Sequence, residues 1–360
     1  MNAGPVLLAA GGTGGHVFPA LAVAEELARR GVESVFVTDA RGARWLPPGR
    51  PHRTVRAASP AGPLATRLSA LVELAAGLRE ARRILATIRP RVAGLFGGYA
   101  TVPVWLAARL RRLPLLLHEQ NAVLGRVNRL AARGARLLAL AFADTERVPA
   151  GVATVVTGNP VRPGFRTDGP RPRAGAGGPV LLVTGGSQGA RVFGERVPGA
   201  LARLPEGLRH RLVLWMQVRA EQVETVRARL ADLVAAAEIR PFFEDLDRRL
   251  AAADLVLARA GASTLAELAA AGVPAVLVPY PHAADDHQRA NARRVAAAGA
   301  AVSVDQEEAT PERLAAVLGD LLLDEGRRAA MRQAMAALAR PDAARHIADH
   351  LLRLAREGAP

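Results

Sequence analysis

A chain of 360 residues is long enough for two cores of ordinary size, and without a cysteine it has no disulfide, thiolate zinc site or cysteine nucleophile. Half of the chain is hydrophobic and only 4% aromatic, so Leu, Val and Ala must supply most of the packing. The formal charge of +15 is carried by arginine alone, and between Arg41 and Arg136 the only acidic residues are Glu73, Glu80 and Glu119. Such a field favours an anionic partner: lipid headgroups, nucleic acid or an acidic substrate. No basic leader precedes an apolar run, and no uninterrupted apolar stretch is long enough to span a bilayer, so a soluble or peripheral chain is expected.

In chain order, strand Val6–Ala9 runs into the cluster Gly11-Gly12-Thr13-Gly14-Gly15-His16, and a helical pattern follows over 17–30. Pro19 is acceptable in the first turn of that helix. Strand 34–38, a long helix over 64–88, strand 92–96 and a second glycine turn at Gly97-Gly98-Tyr99 come next. A helix over 102–112, a strand over 115–118 and helical segments from Leu124 onward complete the first half, which should end near residue 162. Residues 166–179 (RTDGPRPRAGAGGP) read as a linker or exposed loop. The phrase PVLLxxGG, which opened the chain at Pro5, recurs at Pro179. Strands are then expected at 180–184, 211–216, 237–242, 255–258 and 275–279, with helices at 191–201, 221–233 and 263–271 between them and a last helix at 341–356. Strands alternating with helices imply parallel sheets covered on both faces, and two glycine turns after two first strands imply two α/β domains that present helix N-termini to phosphate.

Several residue groups admit two readings. The first turn fails the dinucleotide spacing, since Val17 stands where a third glycine belongs; Asp39 is a capping or loop residue before it is a ribose ligand. His16, at the start of a helix, is either a surface residue or a neutral imidazole fit to act as a general base. Ser263 or Thr264 with Glu267 spells a capping box, or else a helix N-terminus for a diphosphate with Glu267 on ribose hydroxyls. Asp245-Leu-Asp247 and the His346, His350 pair are set aside as metal ligands, the first as a helix start and the second for want of a third ligand. Leu64, Leu68, Leu71, Ala75 and Leu78 repeat at helical spacing beside Arg67, Arg79, Arg82 and Arg83. A helix packed on its own sheet is the default for that stripe, and an apolar patch resting on anionic lipid the alternative.

Taken together, residues 11–19 (GGTGGHVFP), 97–103 (GGYATVP), 118–128 (HEQNAVLGRVN), 158–162 (GNPVR), 185–191 (GGSQGAR) and 259–272 (RAGASTLAELAAAG) resemble the MurG family, in family order over nearly the whole chain. The resemblance implies an α/β GT-B fold of two Rossmann-like domains facing a cleft. Residues 1–162, with the helix 341–356 packed back on them, would form the acceptor and membrane side, and 163–340 the UDP-GlcNAc domain. It implies an inverting transfer of GlcNAc from UDP-GlcNAc to the muramoyl 4-hydroxyl of lipid I, the undecaprenyl-diphosphate-linked pentapeptide. No metal or cofactor and no nucleic acid is implied, and the place of action is the cytoplasmic face of the membrane. On the donor side the resemblance points to Ser187 at the diphosphate, the Phe243 backbone at the uracil, and Ala262, Ser263, Thr264, Leu265, Ala266 and Glu267 at phosphates and ribose. Gln288 would meet the sugar hydroxyls and Arg162 would serve at the junction. Thr13, Gly14, Gly15, Tyr99, Asn121 and Asn128 are the polar positions of the other side, with His16 as base and Glu119 as the second candidate. The chain departs from the pattern at His287, where some members have a glutamine, and at Met216-Gln217-Val218-Arg219, where His-Gln followed by Gly is frequent. The alternatives are a related GT-B transferase with another lipid or natural-product acceptor, and a non-catalytic nucleotide-binding scaffold.

Overall fold

Each apolar run ahead of a glycine turn becomes a central strand of a parallel sheet. In the computed structural model, which describes residues 4–58, 64–162, 164–165, 178–186 and 189–357, the chain divides into two compact units. One comprises the residues up to Arg162 and the tail from Arg340; the other is Pro163–Ala339.

The first unit holds β1 (Val6–Ala9), β2 (Ser34–Thr38), β3 (His52–Thr54), β4 (Val92–Leu95), β5 (Leu115–Glu119), β6 (Leu137–Leu140) and β7 (Thr154–Val156). They lie parallel in the order β3-β2-β1-β4-β5-β6-β7. The order reverses between β1 and β4, and in open α/β sheets such a switch point opens a crevice at the carboxyl ends of the strands. Both glycine turns of this unit leave from that point. The helices are α1 (Gly14–Arg29), α2 (Ala40–Ala43), α3 (Leu64–Ile88), α4 (Thr101–Leu110) and α5 (Arg126–Ala131). One face of the sheet is covered by α1 and the C-terminal helix Ala343–Glu357, whose Ile347, Leu351 and Leu354 join Leu8, Phe36 and Phe96 in a single cluster. Gly94 on β4 makes room for Leu351, which would lie 3.3 Å from a Cβ there.

On the opposite face α3 and α4 pack over Leu7, Ala9, Leu95 and Leu117. The α3 residues buried there are Ala81 and Leu85, with Leu78 and Ile84 partly buried, whereas Leu71 and Val72 are 59% and 67% exposed. The leucine stripe of the sequence is therefore divided: Leu78 faces the sheet, Leu71 and Ala75 face solvent beside Arg79, Arg82 and Arg83. The side chains of Leu64, Arg67 and Leu68 lie outside the described residues. Among the described residues no helix is long and apolar enough to cross a membrane.

The second unit repeats the plan with β8 (Val180–Thr184), β9 (Val213–Gln217), β10 (Ala236–Arg240), β11 (Leu255–Ala258), β12 (Ala275–Leu277) and β13 (Ala301–Ser303), parallel in the order β10-β9-β8-β11-β12-β13. Its switch point falls between β8 and β11, so the second glycine phrase and the Gly261 turn start side by side. Strands β3, β6, β7 and β13 have no counterpart among the sequence expectations. The linker expected at 166–179 falls almost wholly outside the described residues.

Candidate functional site

The site of the first unit is built from buried polar side chains at strand ends, each tied to a neighbouring backbone. Asp39, 4% exposed at the end of β2, accepts from the Gly12 amide at 3.0 Å and the Gly42 amide at 2.8 Å, with Arg41 on its other oxygen. It caps α2 and pins the first glycine turn, so its oxygens face protein rather than a ribose. Helix α1 begins at Gly14, earlier than the pattern suggests, with Thr13 as an extended N-cap residue. Gly14, Gly15 and His16 therefore form its first turn, at the positive end of the helix dipole, which favours an anion. His16 Nδ1 lies 3.1 Å from the Gly11 carbonyl oxygen and 3.3 Å from Thr13 Oγ1. A carbonyl can only accept, so Nδ1 is the ring nitrogen that donates in this contact, and Nε2 lies on the side of the ring away from it.

Glu119 closes β5 and is 2% exposed. Its Oε1 accepts from Asn121 N and Nδ2, both at 3.0 Å, and its Oε2 from Gly125 N and Asn128 Nδ2, both at 2.9 Å. Four donors occupy the four in-plane lone-pair positions of the carboxylate. That saturation fits a carboxylate that shapes the loop over 119–128 and leaves it poorly suited to take a substrate proton. Asn128 is 3% exposed and spends its amide group on Glu119 and the His118 carbonyl, so it stands behind the loop instead of lining a surface. Gln120 donates to the Phe96 carbonyl at 2.7 Å, fixing the strand end from which Gly97 departs, and Tyr99 is half-buried in the turn that follows. His118 is wholly buried; its Nε2–H donates to the Gly158 carbonyl at 3.0 Å, and burial pushes its pKa down to about 4. The Arg162 guanidinium lies over the Phe18 ring, 4.3 Å from its centre. Asp39, His118 and Gln120 were not legible as site residues, because their partners are backbone groups brought near only by the sheet.

In the second unit the helix Ala262–Ala271 starts directly after β11, with Gly261 as its extended N-cap. Ser263 and Thr264 are thus inside the helix, and of their two readings the capping box is not formed; Ala262 to Ala266 open the helix and Glu267 is 9% exposed. Thr264 Oγ1 sits 3.7 Å from where a Cβ on Gly186 would be, so the Gly185-Gly186 turn and this helix start adjoin. Ser187 lies outside the described residues. Beneath the turn, Gln217 accepts from Thr184 Oγ1 at 2.7 Å and donates to the Gly186 and Pro241 carbonyls. Gln217, in the stretch where the chain departs from the family pattern, is therefore a brace at the end of β9, and Met216 beside it is fully buried.

Phe243 is buried under the Arg249 guanidinium at 4.2 Å, so only its backbone is available to a ligand. Arg249 also binds Asp245 at 2.8 Å, and this bond holds the Asp245 carboxyl below its usual range. Gln288 Oε1 accepts from the Tyr280 amide at 3.0 Å, which leaves its NH2 to donate. His287 turns Nδ1 to the Ala284 carbonyl at 2.6 Å. Arg259, 8% exposed, donates to the Val278 and Pro279 carbonyls and to Gln306 Oε1, tying together the ends of β11, β12 and β13; burial pushes its pKa down to about 10, so it stays charged at neutral pH. Sequence reasoning placed Arg259 in a motif without giving it this role.

Two parallel sheets, each with a glycine turn and a helix start at its switch point, give the GT-B fold of nucleotide-sugar glycosyltransferases. Family models agree: the glycosyltransferase family 28 N-terminal domain matches residues 6–139 and its C-terminal domain residues 180–347. A relative from Rhodospirillum centenum, 48% identical over 98% of this chain and 95% of its own, is named UDP-N-acetylglucosamine–N-acetylmuramyl-(pentapeptide) pyrophosphoryl-undecaprenol N-acetylglucosamine transferase. One from Mesorhizobium japonicum with the same name is 45% identical over 97% of this chain and 95% of its own. The solved structure of Acinetobacter baumannii MurG superposes with a TM-score of 0.78 at 33% identity, covering 97% of this chain and 99% of that one. The calicheamicin glycosyltransferase CalG4, at 21% identity and a TM-score of 0.69 over the full length of both chains, shares the fold. The chain belongs to glycosyltransferase family 28 and, within it, to the MurG family.

Proposed function

We propose that the chain transfers GlcNAc from UDP-GlcNAc to the muramoyl 4-hydroxyl of lipid I, forming the β-1,4 disaccharide of lipid II for peptidoglycan synthesis. The observation that carries this reading is near full-length identity of 48% to a relative named for the reaction. The donor binds the second unit. There the N-terminus of Ala262–Ala271 binds its diphosphate, with Ser187 assigned to the same group by the family resemblance alone; Glu267 takes the ribose hydroxyls, the Phe243 backbone the uracil, and the Gln288 NH2 a sugar hydroxyl oxygen. The first turn of α1, with Thr13, Gly14 and Gly15, suits the acceptor diphosphate. Tyr99 and Asn121 lie beside it on neighbouring strand ends, and Arg162 closes the first unit.

His16 Nε2 takes the proton of the 4-hydroxyl as that oxygen bonds to the anomeric carbon. The bond from this carbon to the diphosphate oxygen breaks on the opposite face, and UDP departs with the electron pair. Negative charge grows on UDP, where helix-terminal N–H groups stabilise it. Glu119 serves by holding the loop that carries Asn121. Exposed Leu71 and Val72 with Arg79, Arg82 and Arg83 on α3 form a peripheral contact with an anionic membrane on its cytoplasmic side. Analysis of the product linkage by NMR tests the chemistry: a β-1,4-linked disaccharide is expected, and an α-linked product would exclude the single displacement.

A further inference from the structure

The two glycine turns of the first unit meet at one carbonyl group. Gly11 N–H donates to the Gly97 carbonyl at 3.2 Å, and the Gly11 carbonyl in turn accepts the His16 Nδ1–H at 3.1 Å. A Cβ on Gly98 would lie 2.5 Å from the Gly11 oxygen and 3.0 Å from its carbonyl carbon. One on Gly97 would lie 2.9 Å from His16 Cδ2 and 3.2 Å from His16 Nε2. Gly11 itself is held from the other side, since a Cβ there would stand 2.3 Å from Ala100 Cβ. Both Gly97 and Gly98 have positive φ, +85° and +83°, so the turn takes a course that other residues resist. The space above Gly97 is thus filled by the imidazole, and the space beside Gly98 by the carbonyl that orients it.

We propose that the Gly97-Gly98 turn is a mould for the His16 imidazole and the Gly11 carbonyl, which makes Gly97 and Gly98 positioning residues. This rests on the reading of His16 as the base. The Gly11 carbonyl does what a carboxylate does in a Ser-His-Asp triad, fixing the tautomer and the ring plane. Being neutral, it adds no counter-charge to hold a proton on Nε2. Room at Gly98 decides where that carbonyl points; room at Gly97 decides where Nε2 ends.

The test is 15N NMR of the full chain labelled in histidine, with the His16 signals identified by their loss in His16→Gln. A single tautomer protonated on Nδ1 is expected in the native enzyme. In Gly98→Ala and Gly97→Ala that single tautomer should be lost, and kcat should fall at least about tenfold with KM for UDP-GlcNAc held within about twofold. An Nε2-protonated or mixed tautomer in the native chain would overturn the proposal, as would a Gly98→Ala enzyme with native kcat. The native spectrum can still overturn the proposal if the alanine variants fail to fold. A His16→Gln enzyme with undiminished kcat would instead remove the base assignment and leave the tautomer to decide the positioning claim by itself.

Discussion

In Glu119→Gln the side chain keeps its size and one acceptor oxygen, but an NH2 replaces the other carboxylate oxygen. The native carboxylate receives two N–H groups on each oxygen, at 2.9 to 3.0 Å, inside a residue that is 2% exposed. Whichever way the new amide turns, two donors face an NH2 and lose their acceptor, and the two that remain bond to a neutral oxygen. Hydrogen bonds to a charged group contribute about 1.5–3 kcal/mol each, so after partial recovery through water the loss should be roughly 2–4 kcal/mol. At about 2–4 °C per kcal/mol for a unit of this size, the melting temperature of the first unit should fall by roughly 5–15 °C. Calorimetry on the full chain measures that shift, and steady-state kinetics should show acceptor KM rising together with a lower kcat as the loop over 119–128 loosens. A variant that melts within about 1 °C of the native chain yet loses roughly thousandfold in kcat would refute the reasoning and make Glu119 a proton acceptor.

His16→Ala should lower kcat by roughly 10²–10⁴ while calorimetric affinity for UDP-GlcNAc stays within about twofold, and a loss of only a few-fold would exclude His16 as base. His118, held neutral by burial with a pKa pushed down from 6.5 to about 4, takes up its proton more readily when unfolded. Its contribution is therefore complete above about pH 6.5, declines by roughly 3 kcal/mol as pH falls to about 4, and changes no further below that. Urea midpoints across this window should carry that slope in the native chain and lack it in His118→Gln. Leu351→Ala, in the core cluster shared by the C-terminal helix and the first sheet, should cost about 2–5 kcal/mol in chemical denaturation; a negligible change would mean the helix is not integral to that unit. Leu71→Glu with Val72→Glu should abolish sedimentation with anionic vesicles without lowering thermal stability, and undiminished vesicle binding would place the membrane contact elsewhere.

Most strands that carry a glycine turn were legible because a short apolar run that stops at glycine seldom folds as anything but a buried strand. Strand β6 was not: in the stretch ARGARLLALAF neither a period of two nor one of 3.6 stands out, and only pairing with β5 and β7 makes it a strand. The inward face of α3 was read only in part: Leu78 of the stripe packs on the sheet, while Ala81 and Leu85, buried there, lay outside it. His16 and Glu119 could be picked from the sequence as chemically apt. The resemblance ranked His16 ahead of Glu119 as base; the backbone groups that hold the two were not legible, the Gly11 carbonyl at one and the Gly125 amide at the other. Asp39 and Gln120 show the same limit, with backbone partners 27 and 24 residues away.

Whether the chain builds lipid II is decided by following label from UDP-GlcNAc, radiolabelled in the sugar, into a short-chain analogue of lipid I with the purified protein. Labelled disaccharide-lipid and released UDP are expected in equal amounts. UDP released without labelled lipid, or no turnover of this acceptor at all, would contradict the assignment.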